Sequence, residues 1–147
     1  MQILLKSTNP KISSIPAIKM QLKIKTHKRE ELVDITDLIR HRIPISQGVV
    51  HIFVSHTTAG ITINENADPN LPTDILNFLN KLIPQGRWLH DKIDNNADAH
   101  IKASLIGSSI SIPVEEGKLQ LGTWQNIFLC EFDGPRERNI IVSFLGS

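Results

Sequence analysis

A single cysteine, Cys130, makes an intrachain disulfide impossible and is compatible with a reducing cytosol. Its apolar neighbours Ile127-Phe128-Leu129 mark it as core filler rather than a nucleophile. No apolar run approaches the roughly 18 residues that a spanning helix needs. The patch Ile3-Leu4-Leu5 is too short for an export-signal core of roughly 7 to 15 residues. A cytoplasmic protein with no membrane partner is expected. An excess of one charge is missing too: 16 basic against 15 acidic residues leave a net charge of +1, so no global field gathers nucleic acid. There is no Walker loop, Gly-rich dinucleotide fingerprint, CxxC pair, HExxH helix or EF-hand spacing, and no internal repeat.

What is present suits one globular domain: 147 residues, 40% apolar and 21% charged. A loosely ordered leader is expected over residues 1–17 and one domain over 18–147. Met20, Leu22 and Ile24 alternate with Lys19, Gln21, Lys23 and Lys25, the pattern of a half-buried antiparallel strand. Thr36 is placed to cap a short helix, Asp37 to Arg42, with Leu38 and Ile39 inward and Pro44 as its stop. Val49 to Val54 is apolar on both faces and predicts a central strand, continued in character by Ile61 to Ile63. Apolar residues from Ile75 to Ile83 recur at helical spacing between Asn70 and Pro84. Ala97, Ile101 and Leu105 predict another helix, from Asp94–Asn96 to Gly107. The remainder predicts strands over Ser109–Val114, Leu119–Phe132 and Asn139–Phe144, with turns at Glu116-Gly117 and Asp133-Gly134-Pro135. The fold class is α+β: mixed, largely antiparallel sheets packed with two to three helices.

Ionisable and hydroxyl side chains crowd into three segments at element ends, where sites are usually built. The first is Ser55-His56-Thr57-Thr58-Ala59 with Asn64-Glu65-Asn66 and Asp68. Strand parity turns His56 away from His51. An imidazole there suits a metal ligand or a general acid/base, with Thr57 and Thr58 as hydrogen-bond donors; the plainer reading is a strand-end histidine bonded to backbone. Glu65 alone of its cluster sits just after a strand, while its neighbours read as turn and cap chemistry.

The second segment runs from His90 to His100. On the predicted helix His100 shares a face with Asn96, Ala103, Ser104 and Gly107, small residues that allow close approach. Asp98 lies one turn before Lys102, and by themselves the two read as a weak solvated ion pair. His90 reaches His100 only if the intervening loop folds back.

The third segment runs from Gly122 to Arg138. Strand alternation places Thr123 and Gln125 on one face and Trp124 on the other, as a core or interface side chain. Glu131 is an acid in an apolar strand and needs a partner, for which Arg136 and Arg138 are the candidates. Guanidinium groups also grip phosphate bidentately. The ligand role is assigned to Arg136, and the structural one to Arg138 because it directly precedes the final strand.

Four ordered motifs, His56-Thr57-Thr58-Ala59 with Asn64-Glu65-Asn66 and Asp68, Asp94 to His100, Gly117 to Gln125, and Asp133 to Arg138, resemble the YjbQ-like family over residues 20 to 146. The resemblance implies a small α+β protein that assembles as a compact homotrimer and carries the label secondary thiamine-phosphate synthase. It implies one polar pocket made by His56, Glu65, His90, Asp98 and His100, with Thr57, Thr58, Thr123, Gln125 and Arg136 nearby. On that basis Glu65, Asp98 and His100 are candidate catalytic residues. Thr57, Thr58, Lys102, Thr123, Gln125 and Arg136 are candidate substrate contacts. His56, His90 and His100 are candidate ligands of a divalent ion, zinc or else magnesium.

The expected function is an enzyme acting on a phosphorylated small molecule, with thiamine-phosphate synthesis the named reaction: a thiazole phosphate displaces pyrophosphate from a pyrimidine-methyl diphosphate. One alternative is a metal-dependent hydrolase with Glu65 or Asp98 as base. The other is a trimeric protein that binds a metal or metabolite without turnover.

Overall fold

The computed structural model describes residues 17–147, so the expectation of a leader falls, but for Ala17, outside the described residues. The elements are β1 (Ala17–Lys25), β2 (Glu31–Asp34), α1 (Thr36–Arg40), β3 (Gln47–Val54), β4 (Ala59–Asn64), α2 (Asn70–Leu82), α3 (Ala97–Ile106), β5 (Ser109–Glu115), β6 (Lys118–Leu119), β7 (Asn126–Glu131) and β8 (Glu137–Gly146). A 3-10 turn, Leu89–Lys92, precedes α3.

The strands form two sheets, one five-stranded in the order β1-β8-β3-β5-β6 and one three-stranded in the order β2-β7-β4, and every pairing is antiparallel. The inner face of the large sheet, with Val50, Ile52, Ile112, Val114, Ile140, Val142 and Phe144, meets Ile61, Ile127 and Leu129 of the small one. The other face of the small sheet packs Phe128 and Cys130, with Phe132 just beyond β7, against Leu79 of α2 and Ala99 and Ala103 of α3. The result is three layers, large sheet, small sheet and helices, with β7 buried on both faces. Burial pushes the Cys130 thiol up to about 12, which leaves it an inert core group.

Several expectations change. The run predicted as one strand from Leu119 to Phe132 breaks after Leu119, because β6 belongs to the large sheet and β7 to the small one. The chain needs Gln120–Gln125 to cross between them, so Gly122–Gln125 is a turn closed by Gln125 N–H on Gly122 O at 3.0 Å. Thr123 and Gln125 therefore do not share a strand face. Strand β2 escaped the sequence reading, since only Leu32 and Val33 are apolar in it.

Helix α1 ends at Arg40 rather than Arg42. Its start is held by Asp34, whose Oδ1 accepts from both N–H and hydroxyl of Thr36 at 2.9 and 2.6 Å. Thr36 is thus the donor instead of the cap acceptor, and Leu38 points outward while Ile35 and Ile39 enter the core. Strand β3 is central, yet Val49 and Phe53 on its second face remain 36% and 37% exposed.

Two glycines permit close approaches that position functional elements. A Cβ on Gly60 would lie 2.8 Å from Gly107 O, so its absence lets the end of α3 dock on β4, where Ile61 N–H donates to that same carbonyl. A Cβ on Gly134 would lie 2.3 Å from Lys28 O, and Gly134 N–H donates to Arg29 O. That contact draws the β1–β2 connection over the helix layer.

Candidate functional site

His56 leaves β3 just as the chain turns toward β4, and the N–H of Asn139 on β8 donates to its Nε2 at 2.8 Å. The lone-pair nitrogen of a neutral imidazole is therefore used, and the proton resides on Nδ1. Partial burial and the charge of Arg138, with a smaller push from Arg136, hold the imidazole below its usual pKa against the opposing pull of Glu131. His56 is a neutral hydrogen-bond donor in this setting. Ligating a metal would cost it the Asn139 contact.

His56 and Thr57 share a cleft of about 340 Å³ with Ala59, His100, Ala103, Ser104, Gly107 and Ser108. The small-residue stripe of α3 forms its wall, as its spacing implied, and Ser104 hydroxyl folds back on His100 O at 2.9 Å. Behind the cleft His90 packs edge-on against His100, with ring centroids 5.0 Å apart. The loop does fold back. His90 also lies 3.9 Å from Asp94, a long contact at the surface.

The remaining candidates separate into distinct places. Glu65 and Gln125 line a second concavity of about 400 Å³ with Ile63, Asn64 and Trp124. Gln125 Oε1 accepts from Gly122 N–H at 2.8 Å, and Trp124, expected in a core or interface, is 65% exposed. Thr123 is exposed in the adjoining turn.

Asp98 and Lys102 are both fully buried, which corrects the reading of a solvated pair. Lys102 Nζ donates to Asn80 Oδ1 at 2.6 Å and to Asp98 Oδ2 at 3.0 Å, with Glu30 at 3.4 Å. Arg29 clamps the same carboxylate at 3.0 and 3.2 Å. Burial alone would raise the Asp98 carboxyl, but Arg29 and Lys102 outweigh it and hold the group below the usual carboxylate range. The network ties α3 to α2 and to the β1–β2 connection, and neither Asp98 nor Lys102 lines the cleft. Helix periodicity could not show that this flank would be covered.

Thr58 is buried next to the cleft and accepts from Arg138 through its hydroxyl at 2.8 Å and its carbonyl at 3.2 Å. Arg138 is the main partner of buried Glu131, with Nε 3.0 Å from both carboxylate oxygens and one terminal nitrogen closing the fork. Thr26 hydroxyl donates to Glu131 Oε1 at 2.7 Å and accepts from Arg136 N–H at 3.0 Å. The Arg136 side chain is about half exposed and reaches Asp133 O and Oδ2 at 2.7 and 3.0 Å.

The three candidate metal ligands do not converge. Among the described residues no three His, Cys, Asp or Glu side chains stand together as an ion would need, and His56 has its acceptor nitrogen engaged. One chain therefore does not fit a three-histidine zinc site. Sequence reading missed Ser108 and Asn139, because only the pairing of distant chain segments at the end of β3, Val54 N–H on Ser108 O and Ser55 N–H on Asn139 O, brings them to His56.

With this geometry in hand, comparison with known proteins decides the family. The profile described as UPF0047 protein YjbQ-like matches residues 20–147. The chain belongs to the YjbQ-like family. It is 54% identical over 134 residues to a UPF0047 protein of Methanocaldococcus jannaschii, covering 88% of this chain and 96% of that one. It is 44% identical over 128 residues to the UPF0047 protein YugU of Bacillus subtilis, covering 85% and 97%. A crystal structure from Sulfolobus solfataricus, described as a YbjQ-like protein of unknown function, superposes with a TM-score of 0.87 at 42% identity, covering 91% of this chain and 100% of that one. A Clostridium acetobutylicum member of the family gives 0.82 at 47% identity, covering 86% and 99%. Among the described residues no helix is long and apolar enough to cross a membrane.

Proposed function

We propose that this chain is an enzyme that grips the phosphoryl group of a small-molecule substrate in the His56–His100 cleft. The observation that carries the reading is the Asn139–His56 hydrogen bond. It makes His56 a neutral N–H donor beside the hydroxyls of Thr57 and Ser108, a set that suits an oxyanion. Partial burial, with Arg138 and Arg136 acting against Glu131, keeps that imidazole a neutral donor. His100, whose ring packs on His90, is the group placed to exchange a proton with substrate. Glu65 and Gln125 line their own concavity, apart from that cleft. Displacement of pyrophosphate to form thiamine phosphate is the reaction assayed first.

A second reading keeps a divalent ion, on the strength of the His90–His100 pair at 5.0 Å. His90 and His100 would hold it and a second copy would complete its ligands, so the ion would draw the anionic substrate into the cleft.

The test is a thermal melt of the full chain with inorganic phosphate and pyrophosphate, repeated for His56→Ala and His100→Ala. Stabilisation by both anions that is lost in His56→Ala supports the cleft as the anion site. Equal stabilisation in both variants would place the anion elsewhere. Metal analysis of the wild type and of His90→Ala separates the second reading, which requires an ion that the variant loses.

A further inference from the structure

Helix α2 has an apolar face, Ile75, Phe78, Leu79 and Leu82, but the layer beneath it covers that face poorly: Leu79 is buried while Phe78 and Leu82 are 64% and 58% exposed. The cause is visible in the strand register. Beneath the helix, the row Leu32–Cys130–Gly60 ends in a glycine and the next row, Asp34–Phe128–Thr62, ends in a threonine, so the β4 edge of that face carries short side chains. Helix and sheet pack together at Leu79 but leave a gap beside it. Between them lies a cavity of about 430 Å³, floored by Leu32, Cys130 and Phe132 and roofed by Ile75, Phe78 and Leu79. That volume falls in the range of roughly 300 to 1,000 Å³ typical of small-molecule sites, which are mostly apolar with a few placed polar groups.

The polar groups here sit together at one end. Thr62 and Asn64 project from the same face of β4 by strand parity, and Asp74 opens the second turn of α2. Among the described residues no salt bridge reaches Asp74. Asn64 Oδ1 is engaged with Glu65 N–H at 2.8 Å, which leaves Asp74 the anionic acceptor of the group. None of the residues lining this cavity lines the histidine cleft.

We propose that this cavity is a second binding site, for an amphiphilic organic cation: an aryl- or alkylamine whose apolar body lies between α2 and the sheet and whose ammonium meets Asp74. The carboxylate at the mouth of an otherwise apolar pocket selects the charge, and the flat gap under Phe78 selects the ring or chain.

The experiment titrates the full-length protein with 2-phenylethylamine and, as the uncharged match, 2-phenylethanol, read by saturation-transfer NMR and by thermal melt. The amine binds more tightly than the alcohol, by about twofold to fivefold for an exposed carboxylate. Asp74→Asn abolishes that preference and leaves alcohol binding unchanged. Phe78→Ala weakens both, and its melting point reports that the fold survives. Equal affinity for amine and alcohol, or an unaltered preference in Asp74→Asn, overturns the proposal. So does an absence of binding; Phe78→Asp then shows by light scattering whether a second copy fills the groove.

Discussion

Glu131 and Arg138, on β7 and β8, are both removed from solvent and face one another as carboxylate and guanidinium fork, with Thr26 and Thr58 completing their hydrogen bonds. The fork spans the turn that carries Arg136, so the two arginines of the C-terminal motif have different work. Arg138→Ala strands a buried carboxylate and costs roughly 3–5 kcal/mol. For a domain of this size that lowers the melting point by about 10 °C. A thermal melt checks it, and a change of a degree or two would mean that Glu131 finds water instead.

Arg136 projects into solvent over Asp133, an arrangement that contributes little to stability. Arg136→Ala should change stability by about 0.5 kcal/mol or less. If it contacts the phosphoryl group, the melting-point rise caused by phosphate shrinks in the variant. An undiminished rise would leave Arg136 a surface residue.

His56 provides a pH signature. Its folded pKa lies below the ordinary imidazole value of 6.5, so the unfolded chain binds the proton more readily. Stability from this group is fully present above that value and is lost as pH falls through the folded pKa. Urea midpoints from neutral to mildly acidic pH should therefore decline in the wild type, and less steeply in His56→Gln. Parallel slopes for the two proteins would assign the decline to other groups.

The fold was legible wherever a periodicity served one layer. Helix α2, the half-buried β1 and the central β3 all show theirs, whereas α3 forms where expected but buries Ala99, Lys102 and Ala103 and leaves Leu105, on the predicted stripe, exposed. The reading failed where the chain changes layer: Leu119 to Phe132 is uninterrupted in composition, yet it must leave one sheet for the other. The site followed the same rule. Local spacing put His100 on the small-residue face of α3, and that face does line the cleft. Asp98 and Lys102 were misplaced because Arg29 and Glu30, far away in the chain, close over them, and nothing in a helical repeat announces a covering loop. The bond from Asn139 to His56 depends on strand register in the same way.

That covering network makes the protein acid-sensitive by a second route. Asp98 has a folded pKa below the ordinary carboxylate value of 3.8, so its contribution is present above that value and is lost as pH falls through the folded pKa. Asp98→Asn removes the carboxylate shared by Arg29 and Lys102 and leaves a fully buried ammonium short of charge, costing roughly 3–5 kcal/mol. The variant's stability should also vary less with pH in the acid range. Urea unfolding across that range measures both, and a variant as acid-sensitive as the wild type would exclude Asp98 as the responsible group.

The last prediction concerns assembly, and it comes from the outer face of the large sheet. Across β1, β8, β3 and β5 the register aligns Lys19, Ser143, His51 and Ser111 in one row, with His51 Nδ1 3.0 Å from Ser111 Oγ. The rows on either side bring Leu145 beside Val49 and Ile141 beside Phe53, and Leu145, Val49 and Phe53 are each more than a third exposed. A flat sheet face with apolar rows around a polar centre is a surface that copies of one chain can share, the polar row fixing register and the apolar rows supplying burial. If the homotrimer forms through it, light scattering at micromolar concentration gives three chain masses for the wild type. Phe53→Asp, a charge placed in an apolar row, then gives a folded species of lower mass. A wild-type monomer would dismiss the assembly, and a Phe53→Asp trimer would move its interface to another face.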